Sequence, residues 1–151
     1  MKYLIHSLVL ALAIGVGFTA SLDAQTSKTH KKNVALQQYC PVAYAAMGKA
    51  IKGDAKYSSM FEGKTYYMMN ADAKKMFDAD PVKYVPKYNG YCATAMAMGK
   101  KLKSEPEIFS VYKGATYLFS SKDAKAMFEK DPDGTIANAD KQFTSVHKTQ
   151  G

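Results

Sequence analysis

Aromatic and aliphatic residues recur along this chain in two blocks of similar layout. Tyr57 to Phe61 and Lys64 to Met69 are aromatic, β-compatible runs separated by Glu62-Gly63, and the glycine supplies the positive φ that a tight hairpin turn needs. Behind them Ala73, Met76 and Phe77 fall at helical spacing, with Asn70 or Asp72 as the cap and Asp80-Pro81 as the stop. The second block repeats that order. Ser120 or Ser121 caps, Ala124, Met127 and Phe128 are expected to face inward, and Asp131-Pro132 ends the helix. A last helix is predicted from about Thr135 to Val146, where Ile136, Ala139, Phe143 and Val146 recur at near-helical spacing and would close the core.

The two blocks are copies of one unit. Tyr57 to Pro81 lies over Ile108 to Pro132 without a gap, at a period of 51 residues, and 11 of 25 positions are identical. Upstream the match continues with a slip of one residue: Tyr39 and Cys40 meet Tyr91 and Cys92, whereas Met47, Gly48 and Lys49 meet Met98, Gly99 and Lys100. Each unit, about 39–89 and 91–146, reads as a short Ala- and Met-rich helix, a β-hairpin and a second helix. A lone hairpin is marginal in water, so the expectation is an α+β fold in which the two duplicated units share one core.

Ahead of the repeat, Lys2 precedes an apolar run from Leu4 to Phe18 interrupted only by His6 and Ser7, and Ala20 and Ala24 are small. That layout predicts a signal peptide over 1–24, cleaved after Ala24, and a periplasmic or secreted product. A retained anchor is the alternative, but the run is short beside the roughly 20 residues that a spanning helix needs. A flexible Lys-rich lead is expected over 25–36 and the folded domain over 37–147.

About 127 residues then remain, enough for one domain with a real core. The net charge is +8, and no residue of the chain is arginine. Without a guanidinium fork for guanine or phosphate, the lysines read as a solvated surface, and nucleic acid is not an expected partner. No Ser or Cys nucleophile matches a histidine base or a carboxylate pair at a recognisable spacing, so the chain is expected not to be an enzyme. His30 falls in the lead and His147 in the C-terminal tail.

The chemistry on offer is sulfur. Cys40 and Cys92, the only cysteines, hold the same place in the two units, and three readings compete. They form a disulfide closing a loop of about 50 residues, which contributes roughly 4 kcal/mol in the chain-entropy model. Alternatively they hold a soft metal ion such as Cu(I) with thioethers from Met69 and Met96. Otherwise they are two separate buried thiols. Met96, four residues after Cys92, is a better ligand candidate than Met98, because residues two apart on a helix point apart. Met76 and Met127, beside Phe77 and Phe128, read as core. The tyrosines of "YVPKYNGY", Tyr84 to Tyr91, read as packing residues or as the lining of a small-molecule pocket.

With "YCPVAY", "FEGKTYYMMNADAKKMFDADPVKYVPKYNGYCA" and "YKGATYLFSSKDAKAMFEKDP", the chain resembles the YHS domain family, whose relatives include TRASH-type metal-binding domains. Those relatives carry thiol ligands where this chain has Ala43, then Met69 and Ala73 in the first unit and Ser120 and Ala124 in the second. Their metal site is therefore not implied for this chain. Exported relatives usually have aspartate at the place of Cys40, and its replacement provides Cys92 with a thiol counterpart. The expectation is an exported, non-enzymatic binding module, with copper or another soft metal at Cys40, Cys92, Met69 and Met96. The alternative is a small-molecule or partner-binding domain with purely structural cysteines.

Overall fold

The structure, a computed structural model, describes residues 33–148, with side chains as far as residue 145. The expected signal peptide, most of the lead and His30 lie outside the described residues, as does the side chain of His147. A turn at Ala35–Gln38 leads into α1 (Pro41–Met47), β1 (Asp54–Phe61), β2 (Lys64–Met68), α2 (Ala71–Ala79) and α3 (Pro81–Tyr84). A turn at Lys87–Gly90 then opens the second unit: α4 (Ala93–Ala97), β3 (Glu105–Tyr112), β4 (Ala115–Phe119), α5 (Lys122–Lys130) and α6 (Pro132–Lys148). The fold is α+β, and the elements repeat in the order that the duplicated sequence predicts. Among the described residues no helix is long and apolar enough to cross a membrane.

The hairpins form two separate two-stranded antiparallel sheets. Their tips match: Phe61 pairs Lys64 and Tyr112 pairs Ala115. Glu62 and Gly63 have φ of 48° and 71°, and Lys113 and Gly114 have 48° and 77°. Two left-handed central residues make the turn that suits the twist of paired strands, and glycine takes the second place without strain. The register breaks between Asp54 and Ser58 and again between Glu105 and Phe109, so even the irregularity is duplicated.

Asn70 and Ser121 cap the second helix of each unit, accepting from the backbone N–H of Ala73 at 2.8 Å and of Ala124 at 3.1 Å. The Asp-Pro pairs expected to stop these helices do so, but they also start new ones. Asp80 closes α2 and accepts from Lys83 N–H to cap α3, while Asp131 accepts from Gly134 N–H in the first turn of α6. Proline at the first helical position loses no hydrogen bond, since that N–H has no partner in a helix. The last helix therefore begins at Pro132 and not near Thr135.

The expectation of one shared core is corrected. Buried residues gather into two clusters, one around Tyr66, Met68 and Phe77 and one around Tyr117, Phe119 and Phe128. Each hairpin packs its aromatic face onto its own helix and not onto the other hairpin. The equivalence is close: the Tyr66 and Phe77 rings lie 5.2 Å apart at 38°, and those of Tyr117 and Phe128 lie 5.1 Å apart at 35°. Ala139 of α6 is fully buried in the second cluster, so the last helix closes that unit. Tyr44 ties the units together. Fully buried, it donates its hydroxyl to the Pro106 carbonyl at 2.8 Å and sets its ring edge-on to Phe109 at 4.8 Å.

Met76 and Met127 are 42% and 48% exposed, contrary to the core role expected of them. A nine-residue helix lying on a two-stranded hairpin buries only a narrow stripe. Phe77 fills that stripe, and the preceding residue points about 100° away, toward solvent. Over these helices runs a duplicated polar network. Lys74 pairs with Asp78 at 2.7 Å and both contact Ser59; Lys125, Glu129 and Ser110 repeat the arrangement with longer contacts.

Candidate functional site

Each cysteine stands at the N-cap of the first helix of its unit, Cys40 before α1 and Cys92 before α4. Their backbone N–H groups donate to equivalent carbonyls, Cys40 to Ile51 at 2.8 Å and Cys92 to Leu102 at 3.0 Å. Both side chains are fully buried free thiols, so the disulfide reading does not describe this structure. Their surroundings differ. The Cys92 sulfur accepts from Ala95 N–H at 3.5 Å and from the Ser120 hydroxyl at 3.4 Å. The Cys40 sulfur makes no capping bond.

The candidate sulfur ligands are divided between the clusters. Cys40 packs in the first, with half-buried Met69 against it, and Cys92 and Met96 pack in the second. Met69 occupies in its unit the place that Ser120 occupies beside Cys92 in the other. Met98 is 57% exposed. Among the described residues no group of three or more His, Cys, Asp or Glu side chains is placed to hold a metal ion.

A second arrangement is built from the turns that precede the cysteines. Leu36, Gln37 and Gln38 have φ of 53°, 48° and 72°, and their equivalents Tyr88, Asn89 and Gly90 have 57°, 56° and 79°. Left-handed backbone costs a residue with a Cβ roughly 1–2 kcal/mol, and here it recurs in five such residues at one paired place in the fold. The turns abut: a Cβ on Gly90 would meet Leu36 Cδ2 at 2.9 Å. The Gln37 side-chain amide crosses the junction and donates to the Ser104 carbonyl at 3.2 Å.

Where the turns meet, a groove opens in two adjoining lobes of about 330 and 460 Å³. Val34, Leu36, Asn89, Tyr91 and Lys103 line both lobes; Gln37, Gly90, Ser104 and Pro106 also line the first, and Lys64 is among those that also line the second. Thus each unit contributes one wall. Val34, expected in a flexible lead, instead bridges Thr65 of β2 and belongs to this wall. Half-buried Lys64 has a pKa held below the usual lysine value, because burial strips water from the ammonium and only partial relief comes from the Glu62 carboxylate.

The tyrosines divide as both sequence readings allow. Tyr88 is buried and donates its hydroxyl to Asp140 at 2.9 Å, and burial and that carboxylate both push its pKa up. Burial, then the charge of Glu62, pushes Tyr66 up to about 12. Tyr91 lines the groove. Asn89-Gly90 carries a turn signal in the sequence, whereas Leu36–Gln38 carries none, having no glycine, and this is why the groove's first wall could not be anticipated. Comparison with family models, with curated proteins and with solved structures finds no match for this chain.

Proposed function

We propose that this chain is an exported, non-enzymatic binding module of the YHS type that takes a small ligand in the groove between its two left-handed turns. In this reading the cysteines are packing thiols at helix starts. The single observation that carries it is the placement of both strained turns on one groove. Strained backbone persists where the surrounding structure over-determines it, and such places cluster at ligand sites. The groove volume also falls in the range of small-molecule sites, about 300–1,000 Å³, and its lining mixes apolar walls with a few polar groups.

Binding of copper through Cys40, Cys92, Met69 and Met96 is the competing assignment. It needs sulfurs that pack in different clusters to converge on one ion, and it needs both cysteines to bind as thiolates. Titration of the native, reduced protein with Cu(I) against a competing chelator separates the two. The proposal expects the copper to stay on the chelator and both thiols to react with a thiol reagent only after unfolding. Uptake of one equivalent with thiolate-to-copper absorption would overturn it.

A further inference from the structure

The groove has a charge as well as a shape. Resting on the reading of the groove as a ligand site, we infer that its ligand is a small organic carboxylate, received between Lys64 and Lys103 with its apolar part against Val34, Leu36 and Pro106. Among the described residues no acidic side chain lines either lobe, and the two ammonium groups come from opposite units. Among the described residues no carboxylate lies within 4.0 Å of either ammonium. The half-buried Lys64 ammonium, relieved only in part by Glu62, is a standing cost, and an anion placed beside it offsets that cost.

The duplication sets Lys103 apart from its counterpart. Lys52 holds in the first unit the place of Lys103 in the second, and both are at antiparallel bridges to the tyrosine before the cysteine. Lys52 is engaged: its Nζ lies 4.0 Å from the centre of the Tyr39 ring and donates to the Gln37 carbonyl at 2.8 Å. Over Tyr91 the cation is instead Lys101, at 6.0 Å. Lys103 is thereby left to the groove. Asn89, in both lobes, adds a side-chain amide able to donate to a carboxylate oxygen. Lysine without arginine offers point charges and no fork, which suits a single carboxylate better than rigid bidentate recognition.

The test is a titration of the full folded protein with sodium benzoate and with benzamide, its neutral near-isostere, followed by backbone amide shifts. Benzoate should move the amides of Gln37, Asn89 and Tyr91 and bind more tightly than benzamide. Lys103→Gln and Lys64→Gln should each weaken benzoate about three- to tenfold, as expected for one partly solvated charge, and leave benzamide unaffected. Lys103→Glu should weaken benzoate further, and Lys122→Gln, on α5 and outside the lining of both lobes, should change nothing. Equal binding of benzoate and benzamide in the groove would overturn the carboxylate inference while leaving a ligand groove. No shift of the groove amides with either probe would also overturn it. In that case a neutral and cationic fragment set on the same amides decides whether the groove reading falls too.

Discussion

Lys52 and Lys103 occupy the same place in the two units, and only Lys52 is held by its own unit, against the Tyr39 ring and the Gln37 carbonyl. Duplication supplies an internal control here. Where the same place in two copies keeps different partners, the shared fold does not account for the difference. The aromatic pairs agree almost to the ångström. The lysines and the cysteine surroundings do not.

The cysteines should respond unequally to an isosteric change. Replacing sulfur by oxygen at Cys92 leaves two partners in place, Ala95 N–H and the Ser120 hydroxyl. At Cys40 a hydroxyl in the position of the sulfur is buried with no capping bond. Leaving such a group unsatisfied costs about 1–3 kcal/mol. Denaturant unfolding should therefore find Cys40→Ser less stable than Cys92→Ser by that amount. Equal stabilities would contradict the difference in environment.

Truncation of the central phenylalanines should hurt both units, and the second more. Phe77 stacks on Tyr66 alone among the ring pairs of its cluster, whereas Phe128 meets Tyr112, Tyr117 and Phe119. Each truncation should cost about 3–5 kcal/mol. The extra rings should place Phe128→Ala at the upper end, since an aromatic pair adds roughly 0.5–1.5 kcal/mol. Because the clusters are separate, amide exchange should rise first in the mutated unit. Melting of both variants near wild type would refute the packing described.

Gln38 adopts φ of 72° where its equivalent in the second unit, Gly90, adopts 79°. Relief of left-handed strain, less the chain entropy that glycine loses, should make Gln38→Gly up to about 1 kcal/mol more stable. A fall in melting temperature would show that the Gln38 side chain contributes more than its backbone costs.

Most of the fold could be read from the residues because the repeat aligned Gly63 with Gly114 and Phe77 with Phe128, and turn and core positions have local signatures. Cluster membership could not. Whether two aromatic faces meet each other or their own helices depends on how the units dock, and Tyr44, which spans that junction, looks like any apolar helix residue. The cysteines are legible as equivalent in the repeat, but equivalence does not bring their side chains into one cluster. The groove was the hardest to foresee. Its first wall depends on three left-handed residues, Leu36, Gln37 and Gln38, none of them glycine.

Lys64 yields a pH test with a defined sign. Its folded pKa lies below the unfolded value, mainly through burial, so in the window between the two the unfolded state binds more protons. Its cost to stability is thus fully present below the folded pKa and diminishes as pH rises toward the ordinary lysine value. Lys64→Met should raise stability at neutral pH, by less than about 1 kcal/mol because much of the side chain keeps its water. The gain over wild type should shrink in melting curves as pH rises toward the ordinary lysine value. A gain that grows with pH would contradict this assignment.

Whether the junction of the two left-handed turns is a ligand site is decided by amide shift mapping of the native protein against a small fragment library of mixed charge. Hits should converge on Gln37, Asn89, Gly90 and Tyr91, with residues of both units moving together. Hits scattered over the surface, or shifts confined to the residues around Cys40 and Cys92, would contradict it.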